Sequence, residues 1–316
     1  MSPQAALASP VFLTYAYIVA GVLITSGLIL VVLSRGMKLE LSGIWKTWRG
    51  WLVMAPLALA VLLAGRVVTI LGVGVLSLAA FKEYARATGL YRNWPMVLAV
   101  DAGIVAVTAL SAIRDPLTPA NWGWYGMFMV VPVYVITLIL VIPIIQNRSK
   151  GQLQNTALAI QGFIMLGWMT AHIGFLANSK YAYGYLLFLL LSVEVADVAA
   201  FTSGRLFGRR KFRDQISPNK TWGGAIGAFA VGMILPWILW FGFPHFEPLH
   251  LILAGLIVGV GGQLGDLTIS VIKRDLGIKD MGVLIPGHGG LLDRMDSLIF
   301  AGPLFLHMVR FFFGLY

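Results

Sequence analysis

Apolar residues recur along this chain in long unbroken runs rather than in an alternating or one-sided pattern. Ten such segments stand out: 11–33, 51–65, 67–81, 96–110, 124–146, 155–176, 182–201, 224–242, 250–272 and 295–316. Most approach the roughly 20 residues that a helix needs to cross a bilayer. Because lipid offers backbone groups no partner, such runs predict helices throughout. The pattern therefore predicts an all-α, polytopic integral membrane protein of about ten transmembrane helices. Segments 51–65 and 67–81 are short and meet at Arg66, so a helical hairpin competes there with one long tilted helix.

Basic residues decide between those readings. Loops 34–50, 82–95, 147–154, 202–223 and 273–294 carry 4, 3, 2, 6 and 4 Lys or Arg, whereas the alternate connections carry one or none. The positive-inside rule puts the richer set in the cytoplasm. Alternation survives ten crossings only if 51–81 is a hairpin, with both chain ends facing outward. The first apolar run is too long for a signal-peptide core and has no basic lead, so it reads as an uncleaved span.

Composition agrees: 59% of the 316 residues are hydrophobic and 11% charged. There are no cysteines, which excludes disulfides and thiolate metal sites. The net charge of +10 lies in the loops, where an anionic leaflet or substrate is the expected partner rather than nucleic acid. No P-loop, dinucleotide fingerprint or HExxH is present. Gly204/Gly208 and Gly255/Gly259 have GxxxG spacing, read as close helix packing. No soluble domain separates out; spans of 1–150 precede a catalytic region over 151–316 within one membrane body.

Candidate chemistry collects at a cytoplasm-facing polar cleft. Glu194 and Asp197 share a face near the end of segment 182–201. Carboxylates at such depth need a cation, a water-filled cleft or a proton. Asp266 follows Gly261, Gly262 and Gly265, which leave the backbone free for close approach. Asp293 and Asp296 lie three apart where the last segment begins, with Arg294 between them pointing elsewhere. Asp266 and Asp293 close the two ends of one loop, so a hard cation such as Mg²⁺ could be held between them. Lys273, Arg274 and Lys279 would neutralise a polyphosphate, and Gly289 and Gly290 could offer backbone N–H groups. Lys273 is expected on an exposed loop, so its loss should raise the nucleotide requirement more than it disturbs folding. His288 reads equally as a phosphate donor or a turn residue.

The preceding basic loop holds Ser217-Pro218-x-Lys220-Thr221, read as a proline-fixed turn whose hydroxyls and ammonium hold phosphate oxygens. Arg209, Arg210, Lys211 and Arg213 read as a solvated cluster against acidic headgroups. His172, His245, His250 and His307 are assigned no chemistry.

At these positions the chain resembles the phosphatidate cytidylyltransferase (CDP-diacylglycerol synthase) family. The motif matched is Ser270, Lys273-Arg274, Lys279-Asp280, His288-Gly289-Gly290 and Asp293-Arg294-Met295-Asp296. The likeness runs back through Gly265-Asp266, the Ser217 to Thr221 stretch and Asp197, covering about the C-terminal 40%. Where the family has Glu-Gly after Lys-Thr-Trp, this chain has Gly223-Gly224.

The resemblance implies transfer of a cytidylyl group from CTP to phosphatidic acid, in an inner (plasma) membrane with the site on the cytoplasmic side. It implies Asp266, Lys273, Arg274, Lys279, Asp280, His288, Asp293, Arg294 and Asp296 as catalytic. Ser217, Lys220, Thr221, Gly289 and Gly290 would bind substrate. Mg²⁺ would sit on Asp266 and Asp293, with Asp197 and Asp296 further candidates and room for a second cation. A CTP-dependent polyprenol or dolichol kinase and an ion-coupled transporter stay open as alternatives, as does a homodimer.

Overall fold

Ala64 and Gly65 alone separate the helix α3 (Ser42–Leu63) from α4 (Arg66–Ala87). Gly65 has φ +107°, a backbone conformation that side chains disfavour. The stretch 51–81 is thus a helical hairpin. Arg66 fixes its turn by donating to Asn178 Oδ1 at 2.8 Å and to the Ala112 carbonyl at 3.0 Å.

The computed structural model describes residues 1–36, 41–118, 122–282 and 289–315. A short α1 (Pro3–Leu7) precedes α2 (Pro10–Val31), and after the α3–α4 hairpin come α5 (Trp94–Ala112) and α6 (Tyr125–Ile145). α7 (Gln152–Gly162) runs through a π-helical stretch, Phe163–Met169, into α8 (Thr170–Phe175). α9 (Ala182–Phe207) leads into a small hairpin of β1 (Lys211–Arg213) and β2 (Ser217–Thr221). Then come α10 (Trp222–Ile238), α11 (Pro248–Leu256), a π-helical stretch Ile257–Gly262, α12 (Gln263–Asp275) and α13 (Leu292–Phe313). Among the described residues nine helices, counting the continuous 152–178 and 248–275 runs once each, are long and apolar enough to cross a membrane. α10, at 17 residues, is a shorter apolar tenth. Every apolar segment of the sequence therefore falls on a helix of a polytopic, all-α membrane protein.

The C-terminal helices approach one another through glycines. A methyl on Gly259 would stand 3.1 Å from the Phe229 Cα, and one on Gly232 would stand 2.7 Å from the Gly259 Cα. This close contact locks α10 to the π-helical stretch, so Gly255/Gly259 serves packing. Gly204 and Gly208 do the same for α9, lying against Thr221 and Gly224 at the start of α10.

The 202–223 loop differs from expectation. Ser217 to Thr221 is an extended strand, not a turn, paired antiparallel with β1 through Lys211↔Thr221 and Arg213↔Ser217. Pro218 is tolerated because a two-stranded ribbon has free edges. Thr221 then caps α10, its hydroxyl accepting from the Gly224 N–H at 3.2 Å.

Candidate active site

One stripe of α12 sets the site. Asp266, Ser270 and Lys273, at i, i+4 and i+7, lie along one helix face. Ser270 donates to Asp266 Oδ1 at 3.2 Å. The stripe meets α13 at very short range because Gly265 has no side chain: a methyl there would run into the Asp296 carbonyl and stand 3.2 Å from the Ser297 Cα. This contact carries Asp296 into the electrostatic field of Asp266 and Lys273. Asp296 is buried, and its Oδ1 accepts from the Ser297 N–H at 2.7 Å.

Each of the two aspartates expected to share a cation has a lysine of its own. Asp266 forms an ion pair with Lys220, which β2 delivers; both side chains keep about a quarter of their surface exposed (24% and 29%). Asp293 pairs with Lys273 at 2.7 Å, and here the side chains are 7% and 11% exposed. Lys273 is thus buried and paired, contrary to the expectation of an exposed loop residue. The second oxygen of Asp293 accepts from the Met281 N–H at 3.0 Å and the Gly290 N–H at 3.1 Å. Asp293 therefore ties the two ends of the loop to α12, and the Gly290 amide is spent on it.

The third wall is α9. Asp197 lies within electrostatic reach of Asp266, Lys220 and Arg294, and Glu194 within reach of Asp197 and Arg294. Arg294 accordingly faces the acidic cleft instead of pointing away, as its place between two aspartates suggested. Arg274 clamps neighbouring segments, donating through Nε to the Ile216 carbonyl at 3.2 Å and through Nη1 to the Ile278 carbonyl at 3.3 Å. Lys279 and Asp280 are exposed at the loop, and Gly289 adopts φ +85° beside Asp280 and Asp293. Ser217 is half-buried in β2. His288 lies outside the described residues.

Sequence reasoning missed Glu83, which α4 brings in from the N-terminal half. Its Oε2 accepts from the Leu292 N–H at 3.0 Å, across 209 positions of sequence. The available signal was a lone acid at the end of an apolar span. It was passed over because the surrounding motif residues all lie beyond position 190.

The cleft is oxygen-rich and cation-lined, while its flanks are apolar. A groove of about 570 Å³ opens beside α12 and α13, lined by Leu253, Val260, Leu264, Leu304 and Phe311. A second, of about 250 Å³, shares Val260 and Leu264 and runs under Phe212 and Trp222 of the hairpin region. Gln263, which also lines the second groove, stands three residues before Asp266 on α12, so that groove borders the helix face that carries the acid.

Carboxylates on neighbouring helices thus stand with two lysines among them in a polytopic membrane protein whose flanks at this point are apolar. Comparison with known proteins gives the family. A family model described as the cytidylyltransferase family matches residues 46–312, and the chain belongs to that family, so it is a nucleotidyltransferase. The match reaches well beyond the C-terminal 40%, taking in α4 and Glu83. The chain is similar to the phosphatidate cytidylyltransferase of Staphylococcus haemolyticus, at 33% identity over 251 residues, covering 78% of this chain and 91% of that protein. It is similar to the Staphylococcus epidermidis protein of the same name at 31% over 258 residues, with the same coverage. The uncharacterized Escherichia coli protein YnbB is 38% identical over 173 residues, 53% of this chain and 58% of YnbB.

Gly223, where the family resemblance expects Glu, abuts the end of α9. A methyl there would stand 3.0 Å from the Phe207 carbonyl carbon and oxygen and 3.1 Å from the Gly208 nitrogen. Gly223 therefore sits in close contact with the backbone at the end of α9.

Proposed function

We propose that the protein is a phosphatidate cytidylyltransferase of phospholipid biosynthesis, joining CTP and phosphatidic acid to give CDP-diacylglycerol and pyrophosphate. The observation that carries this reading is the set of acids and lysines gathered on α12, α13 and β2, with apolar grooves on the same helices, in a chain similar to two proteins of that name over most of its length. The acceptor is a phosphate monoester whose second pKa lies near ~6, so at neutral pH it is already largely a dianion. Its oxygen attacks the α-phosphorus of CTP, the bond from that phosphorus to the bridging oxygen breaks, and pyrophosphate leaves with the electron pair. No serine nucleophile or strong base is required. The chain's task is to hold two mutually repelling anions in line.

Lys220, partly exposed at the cleft, is suited to a phosphate of either substrate, and Arg294 adds a second positive charge beside Asp197. Lys273, neutralised by Asp293, anchors the base of the loop to α12 and would add positive charge only if a substrate phosphate or an ion drew Asp293 away. The acyl chains would lie along the grooves at Val260 and Leu264.

Mg²⁺ fits the donor set, since Asp197, Asp266 and Asp296 bring hard carboxylate oxygens from three helices. Among the described residues no three acids or imidazoles form a ready-made cage. Substrate phosphates would have to complete the coordination, as they commonly do for Mg²⁺. Asp266 would have to share its carboxylate with Lys220, and Asp293 to loosen its hold on Lys273, for either to take the ion. When bound, the ion would supply Lewis-acid neutralisation of phosphate charge. The basic hairpin and loops on the site side favour a cytoplasmic site in an inner membrane, where CTP is available.

The test is purified protein in detergent with CTP and phosphatidic acid, with and without Mg²⁺, following pyrophosphate and CDP separately. Pyrophosphate together with a cytidylylated lipid is expected. Release of CDP with a phosphorylated lipid, or no turnover with any acidic lipid, would overturn the proposal.

A further inference from the structure

α13 begins without a cap of its own. Leu291, at the capping position, has helical dihedrals and no side-chain hydrogen bond to the first turn. Such a start leaves backbone N–H groups without intrahelical partners and a partial positive charge at the helix end. Glu83 of α4 supplies the missing acceptor and the opposite charge through Oε2 at 3.0 Å from Leu292 N.

The surroundings are fitted to this carboxylate. A methyl on Gly282 would collide with Glu83 Oε1 and stand 2.6 Å from its Cδ. A methyl on Gly290 would stand 2.7 Å from Glu83 Oε2, 2.7 Å from the Gly282 nitrogen and 3.1 Å from Asp293 Oδ2. Gly282 and Gly290 lie on either side of 283–288, and both are packed against the same acid. Glu83 Oε1 is buried and has no hydrogen-bond partner among the described residues. A buried carboxylate oxygen in that state is costly, so its place there calls for an explanation.

We infer that Glu83 is a positioning residue for the reaction, fixing the first turn of α13 and both edges of the loop so that Asp293, Arg294 and Asp296 keep their places. It acts through those residues and not on substrate. The link is direct: Leu292 precedes Asp293, and Gly290 donates to Asp293 Oδ2 beside the Glu83 carboxylate. Displacing the carboxylate frees the turn to move. Misplacement of about 1 Å can cost about a hundred-fold in rate.

This inference rests on the proposed reaction, so its test carries a second readout independent of turnover. Glu83→Ala, Glu83→Gln and Gly282→Ala are purified and assayed for pyrophosphate release per folded molecule. Amide exchange is followed over residues 289–296 in the same samples. Glu83→Ala is expected to lower kcat about ten- to a hundred-fold and to speed exchange in that window. Glu83→Gln, which keeps an acceptor for Leu292, should recover most of the rate. Gly282→Ala retains the acid but pushes it aside, and should resemble Glu83→Ala even if the latter does not fold. Glu83→Ala or Gly282→Ala turning over within two-fold of the parent, or a Glu83→Gln variant as poor as Glu83→Ala, would overturn the assignment. Unchanged exchange over 289–296 would do the same. An inactive parent protein would instead count against the proposed reaction, leaving the exchange comparison to decide the role of Glu83.

Discussion

Lys273 of α12 and Asp293 of α13 form a buried ion pair at 2.7 Å, and Asp293 spends its other oxygen on two loop amides. A surface pair of the same residues would contribute little to stability. This one is buried and closes the base of the loop.

Lys273→Ala leaves Asp293 buried without its counter-charge. Breaking a buried pair from one side costs about 3–5 kcal/mol, and the two amide donors retained by Asp293 place the expected loss near the lower figure. Thermal unfolding of the purified variant in detergent checks this. A melting temperature equal to that of the parent would show that the pair carries no structural weight.

Lys220–Asp266 should behave in the opposite way. Both side chains are about a quarter exposed, and a solvated pair contributes on the order of 1 kcal/mol or less. Asp266→Asn and Lys220→Ala are therefore expected to insert and fold normally while losing most pyrophosphate release. Paired melting and turnover measurements distinguish this outcome from simple unfolding; substantial turnover in purified Asp266→Asn would refute a role for that carboxylate at the reacting phosphates.

Restoring the family residue at position 223 should not help this chain. The Cβ of Gly223→Glu would meet the Phe207 and Gly208 backbone at 3.0–3.1 Å, and overpacking of this kind costs about 1–3 kcal/mol. Reduced thermal stability without a gain in turnover is expected. A variant that is both more stable and more active would show that the α9–α10 junction yields easily.

His245 gives the fold an acid limit on the face away from the site. It lies in the turn between α10 and α11, stacked on Tyr181 with ring centroids 3.8 Å apart and hydrogen-bonded to the Tyr185 hydroxyl at 2.7 Å. Burial, with smaller contributions from Lys180 and His250, lowers its pKa from 6.5 to about 4. The unfolded chain therefore binds the extra proton first as pH falls. The stability tied to neutral His245 is complete above about 6.5 and is lost as pH falls toward about 4. Melting temperature measured across pH 4–7 should decline on the acid side, and His245→Phe, which keeps the stacking, should flatten part of that decline. Identical profiles would remove His245 from the account.

The membrane architecture was readable because a span is a long uniform signal. All ten apolar segments became helices, and alternating Lys and Arg counts chose the Arg66 hairpin that Gly65 then makes. The β1–β2 ribbon was not readable: Lys211-Phe212-Arg213 and Ser217 to Thr221 are too short and polar to show a two-residue period, and Pro218 suggested a turn. The motif located α12 and α13 correctly, yet spacing alone could not show that Asp293 faces Lys273 while Asp296 faces Asp266. That division depends on the helix crossing at Gly265. Arg294 was misjudged because α9, the element it faces, lies nearly a hundred residues earlier. Glu83 was invisible for the same reason, its partner being 209 positions away.

The contact of Gly265 with the α13 main chain has a geometric corollary. With backbone against backbone at that point, the main-chain spacing between Asp266 and Asp296 is a property of the scaffold, and only side-chain rotamers remain to bring the carboxylates together or apart. The groove-lining Leu253, Leu304 and Phe311 take no part in that main-chain contact, so the frame that spaces the two acids is separate from the side chains that shape the apolar flank.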